Sequence, residues 1–133
     1  MGWTTFEVDT TRRAQLVDVT ERVAEIVRRA GAGDGVCHVF IPHTTAGVTI
    51  NEGADPDVAR DLEAQLAKLV PKEAGFRHAE GNSDSHIKTA LVGPACAAPV
   101  RDGKLALGRW QAIFLCEWDG PRKRRIEVAV SPV

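Results

Sequence analysis

Apolar residues recur at helical spacing in the first thirty residues, and this periodicity predicts the first helix. Residues three and four apart share one face of a helix, and the segment Thr20–Ala30 has that spacing. Its apolar face consists of Val19, Val23, Ile26, Val27 and Ala30. Thr20 is predicted to cap the N-terminus and Gly31 to end the helix, because these residue types favour those positions.

A second helix is predicted from the boundary residues on both sides of another apolar stripe. Asp55 suits the N-cap, Pro56 suits the first helical position, and Asp57 favours the positive end of the helix dipole. The stripe consists of Val58, Leu62, Leu66, Leu69 and Val70. Pro71 follows the predicted end of the helix, since proline cannot continue it.

Shorter runs of apolar or alternating residues predict β-strands. They are Trp3–Val8, Val36–Pro42, Val48–Asn51, Lys104–Leu107, Ala112–Trp118 and Arg125–Val130. The run Val36–Pro42 is apolar on both faces, so we expect it at the centre of a sheet. Asp-Gly pairs favour tight turns, and the pairs Asp102-Gly103 and Asp119-Gly120 therefore predict a β meander for the last three strands.

Between the second helix and the last strands the pattern is weaker. Lys72–Ser85 lacks apolar periodicity and is predicted to be a loop, whose length suggests a functional role. Ile87–Val92 fits a strand or a short helix, and the pattern leaves the choice open. Strands mixed with two main helices predict an α+β fold. We expect one compact domain over residues 1–133, with a largely antiparallel sheet or sandwich and helices on one face.

Composition changes this picture mainly by excluding classes of protein. The chain has 133 residues, 44% of them hydrophobic, and a net charge of -1, which excludes a wholly disordered chain and argues against a nucleic-acid-binding protein. No uncharged stretch supplies the roughly 18 apolar residues that a membrane span needs, and no signal peptide is recognisable. Cys37, Cys96 and Cys116 are widely spaced, which is typical of buried, reduced thiols in a cytoplasmic protein.

Three histidines lie where predicted strands and loops meet. His43 follows the run Val36–Pro42, and His78 and His86 bracket the end of the long loop. Imidazole is a common ligand of zinc, and three histidines with one open position form a catalytic metal arrangement. The alternative is that each histidine is a solvated loop residue with local hydrogen bonds. His38 lies inside a predicted strand, so we expect it to be partly buried and hydrogen-bonded.

Carboxylates occur near these histidines along the chain. Glu52 and Asp55 fall between a strand and a helix, and Glu80 and Asp84 fall in the histidine-containing loop. Carboxylates beside imidazoles can hold a metal, orient the ring or move protons. The plainer alternatives are helix capping for Asp55 and ordinary solvation for Glu80 and Asp84.

Residues 122–125 place four positive charges in a row. One interpretation is a phosphate-binding segment, and the other is a solvated edge strand protected by its charge. In a hairpin, Arg122 and Arg124 would share one side. Residues 101–133 carry seven Lys or Arg against four Asp or Glu, so a basic C-terminal part follows an acidic part that holds the candidate metal ligands.

Three stretches together resemble the YjbQ family, small proteins described as secondary thiamine-phosphate synthases. The first is the run 43–52 followed by Asp55-Pro56, and the second runs from His78 through Glu80-Gly81-Asn82 to Asp84-Ser85-His86-Ile87-Lys88. The third comprises Gly108, Trp110-Gln111, Ile113, Glu117 and the arginine-rich segment. Two positions depart from the family pattern: Arg109 stands where threonine is usual, and Trp118 stands where some members have histidine.

The resemblance implies an α+β fold, assembly as a homotrimer, and His43, His78 and His86 as ligands of a divalent metal, with zinc as one candidate. It also implies thiamine-phosphate synthesis, in which a pyrimidine diphosphate joins a thiazole phosphate and diphosphate is released. The catalytic candidates are Glu52, Asp55, Glu80 and Lys88. The candidates for binding the phosphorylated substrate are Thr44, Thr45, Asn82 and Arg122.

Two other functions stay open on the sequence. One is a metal-dependent hydrolase of another phosphorylated or acyl metabolite, in which the metal would activate water. The other is a non-enzymatic trimer that binds a ligand or a metal. Neither nucleic acid nor a membrane is an expected partner.

Overall fold

The computed structural model describes residues 2–133, which form two antiparallel β-sheets and three α-helices. In chain order the elements are β1 (Thr4–Asp9), β2 (Gln15–Asp18), α1 (Thr20–Ala30), β3 (Gly35–Phe40), β4 (Ala46–Glu52), α2 (Pro56–Leu69), α3 (Ser83–Val92), β5 (Ala95–Arg101), β6 (Lys104–Leu105), β7 (Gln111–Glu117) and β8 (Lys123–Pro132). The larger sheet has the strand order β1-β8-β3-β5-β6, and the smaller sheet has the order β2-β7-β4. The predicted α+β fold is confirmed, and β3 is central as expected.

The main core lies between the two sheets. Alternate residues of a strand point to opposite faces, and the inward faces bury Val39 and Ile126 from the larger sheet and Leu115 from the smaller. Val23 and Val27 of α1 are fully buried in the same cluster, so α1 contributes its predicted apolar face to the core. No helix within residues 2–133 is both long enough and apolar enough to cross a bilayer.

The helix α1 has the predicted bounds but a different N-terminal cap. Gly31 follows it in the left-handed conformation, with a φ of 61°. Thr20 Oγ1 accepts a hydrogen bond from Ile113 N of β7 at 2.9 Å, while Thr20 N donates to Asp18 Oδ1 at 2.9 Å. The predicted Thr20 cap is therefore wrong, because this hydroxyl joins the helix to the smaller sheet instead.

The helix α2 covers the outer face of the smaller sheet without fully burying any of its own side chains. Asp55 is the N-cap as predicted, and its Oδ1 accepts from Asp57 N at 3.0 Å. Leu62 and Leu66 are half-buried, whereas Leu69 is 64% exposed. The predicted apolar stripe therefore packs only in part against the sheet.

The helix α3 occupies the segment whose structure the pattern left open. Its buried residues are polar: Asp84, Ser85, Lys88 and Thr89. Asp84 and Lys88, and likewise Ser85 and Thr89, are four residues apart and therefore lie on the same side of the helix. A search for periodic apolar residues does not detect a face made of polar ones. The segment left open is therefore a shorter third helix beside the two predicted main helices, and the preceding loop ends at residue 82 rather than at Ser85.

The predicted meander of the last three strands is wrong. The Asp102-Gly103 turn does join β5 to β6, with φ of 51° and 76° at its two residues. However, β7 belongs to the smaller sheet, whereas β6 and β8 belong to the larger one. The Asp119-Gly120 turn therefore carries the chain from one sheet to the other, and β8 pairs with β1 and β3.

The three cysteines are free thiols, as expected. Cys37 and Cys116 are buried and Cys96 is half-buried. Burial raises the pKa of Cys116 to about 12 and that of Cys37 and of Cys96 to about 11. Since the thiolate is the nucleophilic form of cysteine, these side chains are unreactive at neutral pH.

Candidate functional site

Polar side chains collect at one end of the two sheets. There β4 begins opposite the end of β7, because Ala46 pairs with Glu117, and β8 begins opposite the end of β1, because Lys123 pairs with Asp9. We call this region the polar end. It comprises Thr10, Arg13, His43, Thr45, Asp84, Lys88, Glu117, Asp119, Arg122, Arg124 and Arg125.

A buried ion pair between Glu117 and Arg124 lies at the centre of the polar end. Glu117 is fully buried and Arg124 is 2% exposed. Arg124 Nε donates to Glu117 Oε1 at 2.8 Å, and its Nη2 donates to Glu117 Oε2 and, at 2.8 Å, to Thr45 Oγ1. Burial raises the pKa of Glu117, but the hydrogen bonds from Arg124, Asp119 N and Thr10 lower it further than burial raises it. Because β7 and β8 belong to different sheets, this pair joins the sheets.

A second buried charge cluster surrounds Asp84 on α3. The fully buried Asp84 carboxylate accepts from Arg13 Nη2 at 2.9 Å and from Lys88 Nζ at 2.8 Å. Burial raises the pKa of Asp84, but the bonds from Arg13 and Lys88 outweigh burial and hold the pKa at about 2. The Lys88 ammonium also lies 5.8 Å from the Trp118 ring centroid. Lys88, a predicted catalytic residue, is therefore held in a buried ion pair, where it stabilises α3.

His43 lies half-buried at the polar end and is neutral at pH 7. Its Nε2 accepts a hydrogen bond from Arg125 N at 2.9 Å, which assigns the ring proton to Nδ1. Burial lowers the pKa of His43, and the positive charges of Arg124, Arg125 and Arg122 lower it as well. The ring therefore offers an Nδ1–H donor in a positively charged environment, which suits an anionic ligand.

His78 and His86 lie together but without His43. Their ring centroids are 5.4 Å apart with an interplanar angle of 84°, and His78 Nε2 lies 3.8 Å from Glu80 Oε2. Across residues 2–133 there is no group of three or more His, Cys, Asp or Glu side chains placed to hold a metal ion. The Nε2 atom of His43 is already bonded to Arg125 N. One chain therefore does not assemble the predicted three-histidine ligand set.

The predicted phosphate-binding residues divide between surface and interior. Thr44 is exposed, whereas Thr45 is buried and accepts hydrogen bonds from the arginine of the central ion pair. Asn82 Nδ2 donates to Asp119 Oδ2 at 2.8 Å, and Arg122 Nη2 donates to the same oxygen at 3.0 Å. Thr45 and Asn82 therefore stabilise the polar end from within, while Thr44 and Arg122 remain at its surface.

Glu52 and Asp55 lie at the opposite end of β4 from His43. The length of this strand separates them, about 20 Å for an extended chain. Glu52 Oε2 accepts from Ala54 N at 2.7 Å, and Asp55 caps α2. Both carboxylates therefore order the turn into α2, and the structure does not bring them to the histidines. Of the four predicted catalytic residues, only Glu80 contacts a histidine in one chain.

The structure adds Arg13 and Arg125 to the site, which the sequence did not select. Arg125 is exposed, and no ion pair within the described residues 2–133 includes it. Strand alternation could have identified Arg125. Its neighbours Arg124 and Ile126 both face the core, so the Arg125 side chain points to the opposite, solvent-facing side. Arg13 had no local signal, because its partner Asp84 lies far along the chain.

The fold and the polar end together define a class of single-domain α+β protein with two sheets joined by a buried ion pair. The chain belongs to the family described as UPF0047 protein YjbQ-like, whose model matches residues 4–132. It is 45% identical over 125 residues to the UPF0047 protein MJ1081 of Methanocaldococcus jannaschii, covering 94% of this chain and 91% of that protein. The UPF0047 protein YugU of Bacillus subtilis is 42% identical over 121 residues, covering 90% and 92% respectively. The predicted family resemblance is confirmed.

Solved structures of relatives have the same fold. A YjbQ/UPF0047 protein of Clostridium acetobutylicum, 44% identical, matches with a TM-score of 0.94 over 96% of this chain and 99% of that chain. A YbjQ-like protein of Sulfolobus solfataricus, 32% identical, matches with a TM-score of 0.95 over 99% and 97%. The first is described as uncharacterized and the second as a protein of unknown function, so these matches establish fold and family but no activity.

Proposed function

We propose that the polar end binds a phosphorylated small molecule and that the protein is an enzyme with thiamine-phosphate synthase activity. In this reaction the thiazole nitrogen attacks the methylene carbon of the pyrimidine diphosphate. The new C–N bond forms while the C–O bond to diphosphate breaks, and diphosphate leaves with the electron pair. The departing diphosphate needs positive charge and hydrogen-bond donors where its negative charge develops.

The observation that carries the proposal is the neutral His43 ring within a group of arginines. Its Nε2 is held by Arg125 N at 2.9 Å, and the charges of Arg124, Arg125 and Arg122 lower its pKa. A ligand with two or more negative charges reverses this repulsion, so the same charges favour binding of a phosphorylated substrate. Arg125 is exposed and in no ion pair within residues 2–133, so its guanidinium is free to donate to phosphate.

Each surface residue has a separate role in this proposal. Arg125 and Arg122 bind the diphosphate, His43 donates from Nδ1, and the exposed Thr44 hydroxyl adds a donor to the same anion. The buried ion pair of Glu117 and Arg124 fixes the β8 backbone that holds His43. Lys88 contributes through Asp84 and the position of α3, and not by contact with substrate.

The test is to incubate the purified protein with both thiamine precursors and to measure thiamine phosphate by its fluorescent oxidation product. Arg125→Gln should lose most of the wild-type rate, while Arg101→Gln, which changes another exposed arginine, should keep it. Product formation by Arg125→Gln at the wild-type rate would remove the polar end from the reaction. No product from the wild type with any of several divalent metals would overturn the assigned reaction.

The metal remains a further proposal, and it requires a second copy of the chain. His78 lies beside His86 and Glu80, but no three such side chains within residues 2–133 are placed to hold one ion. A catalytic zinc ion takes three protein ligands, so at least one must come from another copy. A metal held by several copies would supply additional positive charge near the leaving diphosphate. Zinc binding measured by calorimetry should be lost in His86→Ala and retained in His38→Ala. Equal affinity in both variants would overturn this site.

Self-association into a homotrimer is the corresponding proposal for assembly. The outer face of the larger sheet exposes Phe40, Ala97 and Pro99, with Trp3 beside them 59% exposed. Large exposed apolar side chains on one sheet face are typical of a protein interface, and Glu127 lines the same hollow as Trp3 and Phe40. Sedimentation velocity should give the mass of three chains for the wild type and a smaller mass for Ala97→Arg. A wild-type monomer would overturn the proposal.

A further inference from the structure

A hollow of about 430 Å³ lies on the outer face of the larger sheet, lined by Trp3, Phe40 and Glu127. Phe40 of β3 pairs with Glu127 of β8, and the residues that flank each of them are buried, so both side chains point outward. Trp3 lies two residues before Thr5, which pairs with Glu127 from the other side, and is therefore its diagonal neighbour. Trp3 is 59% exposed and Phe40 is 40% exposed, so both rings are accessible to a ligand.

The lining of this hollow suits an organic cation. The face of an aromatic ring attracts a positive charge, and tryptophan does so most strongly. The Glu127 carboxylate is half-buried between the rings, and no ion pair within residues 2–133 includes it. Two rings and a carboxylate without a counter-charge therefore favour a ligand group that is both positively charged and partly apolar. An anion would be repelled, and a neutral group would leave the carboxylate unpaired.

The hollow lies beside the exposed arginine of the polar end. Arg125 and Glu127 are two residues apart on β8 and share its outer face, which places their Cα atoms about 7 Å apart. His43 follows Phe40 by three residues and is bonded to Arg125 N. A place for an anion and a place for a cation are thus adjacent on one face. This arrangement suits a ligand that carries a phosphate at one end and a positive charge at the other.

We propose that this hollow binds the positively charged ring of a ligand whose phosphate lies on Arg125. In the proposed thiamine-phosphate synthesis, on which this assignment rests, the thiazole ring becomes positively charged when its nitrogen forms the new C–N bond. Trp3 and Phe40 contact that ring, and Glu127 pairs with its charge. Because the charge develops as the bond forms, the hollow stabilises the transition state more than the neutral thiazole phosphate. Strand β5, where the proposed subunit contact is tested, lies on the far side of β3, so the hollow forms the margin of that contact.

The test compares choline with 3,3-dimethylbutan-1-ol, which has nearly the same shape but a carbon atom in place of the charged nitrogen. Each is titrated into ¹⁵N-labelled wild-type protein, and the three indole N–H signals are followed. Choline should shift the Trp3 signal, leave those of Trp110 and Trp118 unchanged, and bind about tenfold more tightly than the neutral alcohol. Phosphocholine, which adds a phosphate, should bind about tenfold more tightly than choline. These titrations need no turnover, so they give their result whether or not the assigned reaction occurs.

Four variants assign these preferences to single residues. Glu127→Gln keeps the shape of the side chain without its charge and should bind choline about fivefold more weakly than the wild type. Glu21→Gln changes an exposed glutamate of α1 and should bind choline normally. Trp3→Leu identifies the Trp3 signal and should also weaken choline binding. Arg125→Gln should keep the affinity for choline and lose the gain that the phosphate gives.

The cation site is overturned if the wild type binds choline no more tightly than the neutral alcohol, or if Glu127→Gln binds choline as tightly as the wild type. A different result separates this site from the phosphate site. If the choline preference holds but phosphocholine binds no more tightly than choline, the combined site is overturned, and with it the phosphate site of the proposed function.

Discussion

Arg124 and Arg125 are neighbours on β8, yet they occupy opposite environments. Arg124 is 2% exposed and is bonded to Glu117, Thr45 and no solvent-facing group. Arg125 is exposed, its backbone N–H donates to His43 Nε2, and its guanidinium is in no ion pair within residues 2–133. The difference follows from strand alternation, because successive side chains point to opposite faces of a sheet. A basic run on a strand is thus divided into a half that stabilises the fold and a half that is available for ligand.

The largest expected effect is the loss of stability when the buried Glu117–Arg124 ion pair is broken. Glu117→Gln leaves the Arg124 guanidinium buried without a counter-charge, and breaking a buried ion pair in this way costs about 3–5 kcal/mol of unfolding free energy. Urea denaturation measures this loss. Glu127→Gln changes a half-buried glutamate on β8 and should stay within about 0.5 kcal/mol of the wild type. If both variants have the same free energy of unfolding, the ion pair does not contribute to the stability of the two-sheet structure.

The buried Asp84 cluster makes the stability of the protein depend on pH. Asp84 has a pKa of about 2, below its ordinary value of 3.8, so its contribution to stability is full above pH 3.8 and is lost as the pH falls toward 2. The shift corresponds to about 2 kcal/mol. Denaturation at a series of pH values should show that Asp84→Asn is less stable at pH 7 and loses less stability over this acid range. An unchanged acid slope in Asp84→Asn would contradict the assignment.

The exposed half should affect binding rather than stability. Arg125 has a free guanidinium, whereas Arg122 already donates to Asp119, so Arg125→Gln should weaken binding of inorganic diphosphate about tenfold and Arg122→Gln about threefold. Calorimetry measures both affinities, with Arg101→Gln as the control that should bind normally. A larger loss in Arg122→Gln than in Arg125→Gln would reverse the proposed division of roles.

The smallest effect is expected at the far end of β4. Asp55→Ala removes the N-cap of α2 and should cost about 1 kcal/mol of unfolding free energy. Its diphosphate affinity should equal that of the wild type, because Asp55 lies far from the polar end. Weaker diphosphate binding by folded Asp55→Ala than by the wild type would contradict this placement of Asp55 away from the site.

Elements with an apolar period and clear boundary residues were predicted well from the sequence. The bounds of α1 agree, and Asp55 and Pro56 begin α2 as expected. The helix α3 was left open, because its buried face carries Asp84 and Lys88, whose burial depends on a partner distant in sequence. No strand was predicted over the residues of β5, which contains Pro99, a residue type that disfavours strand interiors.

The candidate site was predicted only in part, because its contacts link distant segments. Sequence spacing placed Glu52 and Asp55 beside His43, yet strand direction carries them to the opposite end of β4. The pairing of Arg13 with Asp84, and the assignment of β7 and β8 to different sheets, are long-range features that local pattern does not contain. His78 and His86 bracket one loop and lie together, whereas His43, the third member of the predicted cluster, is bonded to Arg125 N instead.

The most direct test of the central claim is the pKa of His43, measured by NMR titration with and without inorganic diphosphate. Without the anion, the pKa should lie below its ordinary value of 6.5, because burial and the arginine charges disfavour the protonated ring. Saturating diphosphate should raise it, because a bound anion stabilises the imidazolium form. His38, which is bonded to Ser131 Oγ, serves as the internal control and should not respond. An unchanged His43 pKa at saturating diphosphate would contradict binding of phosphate at the polar end.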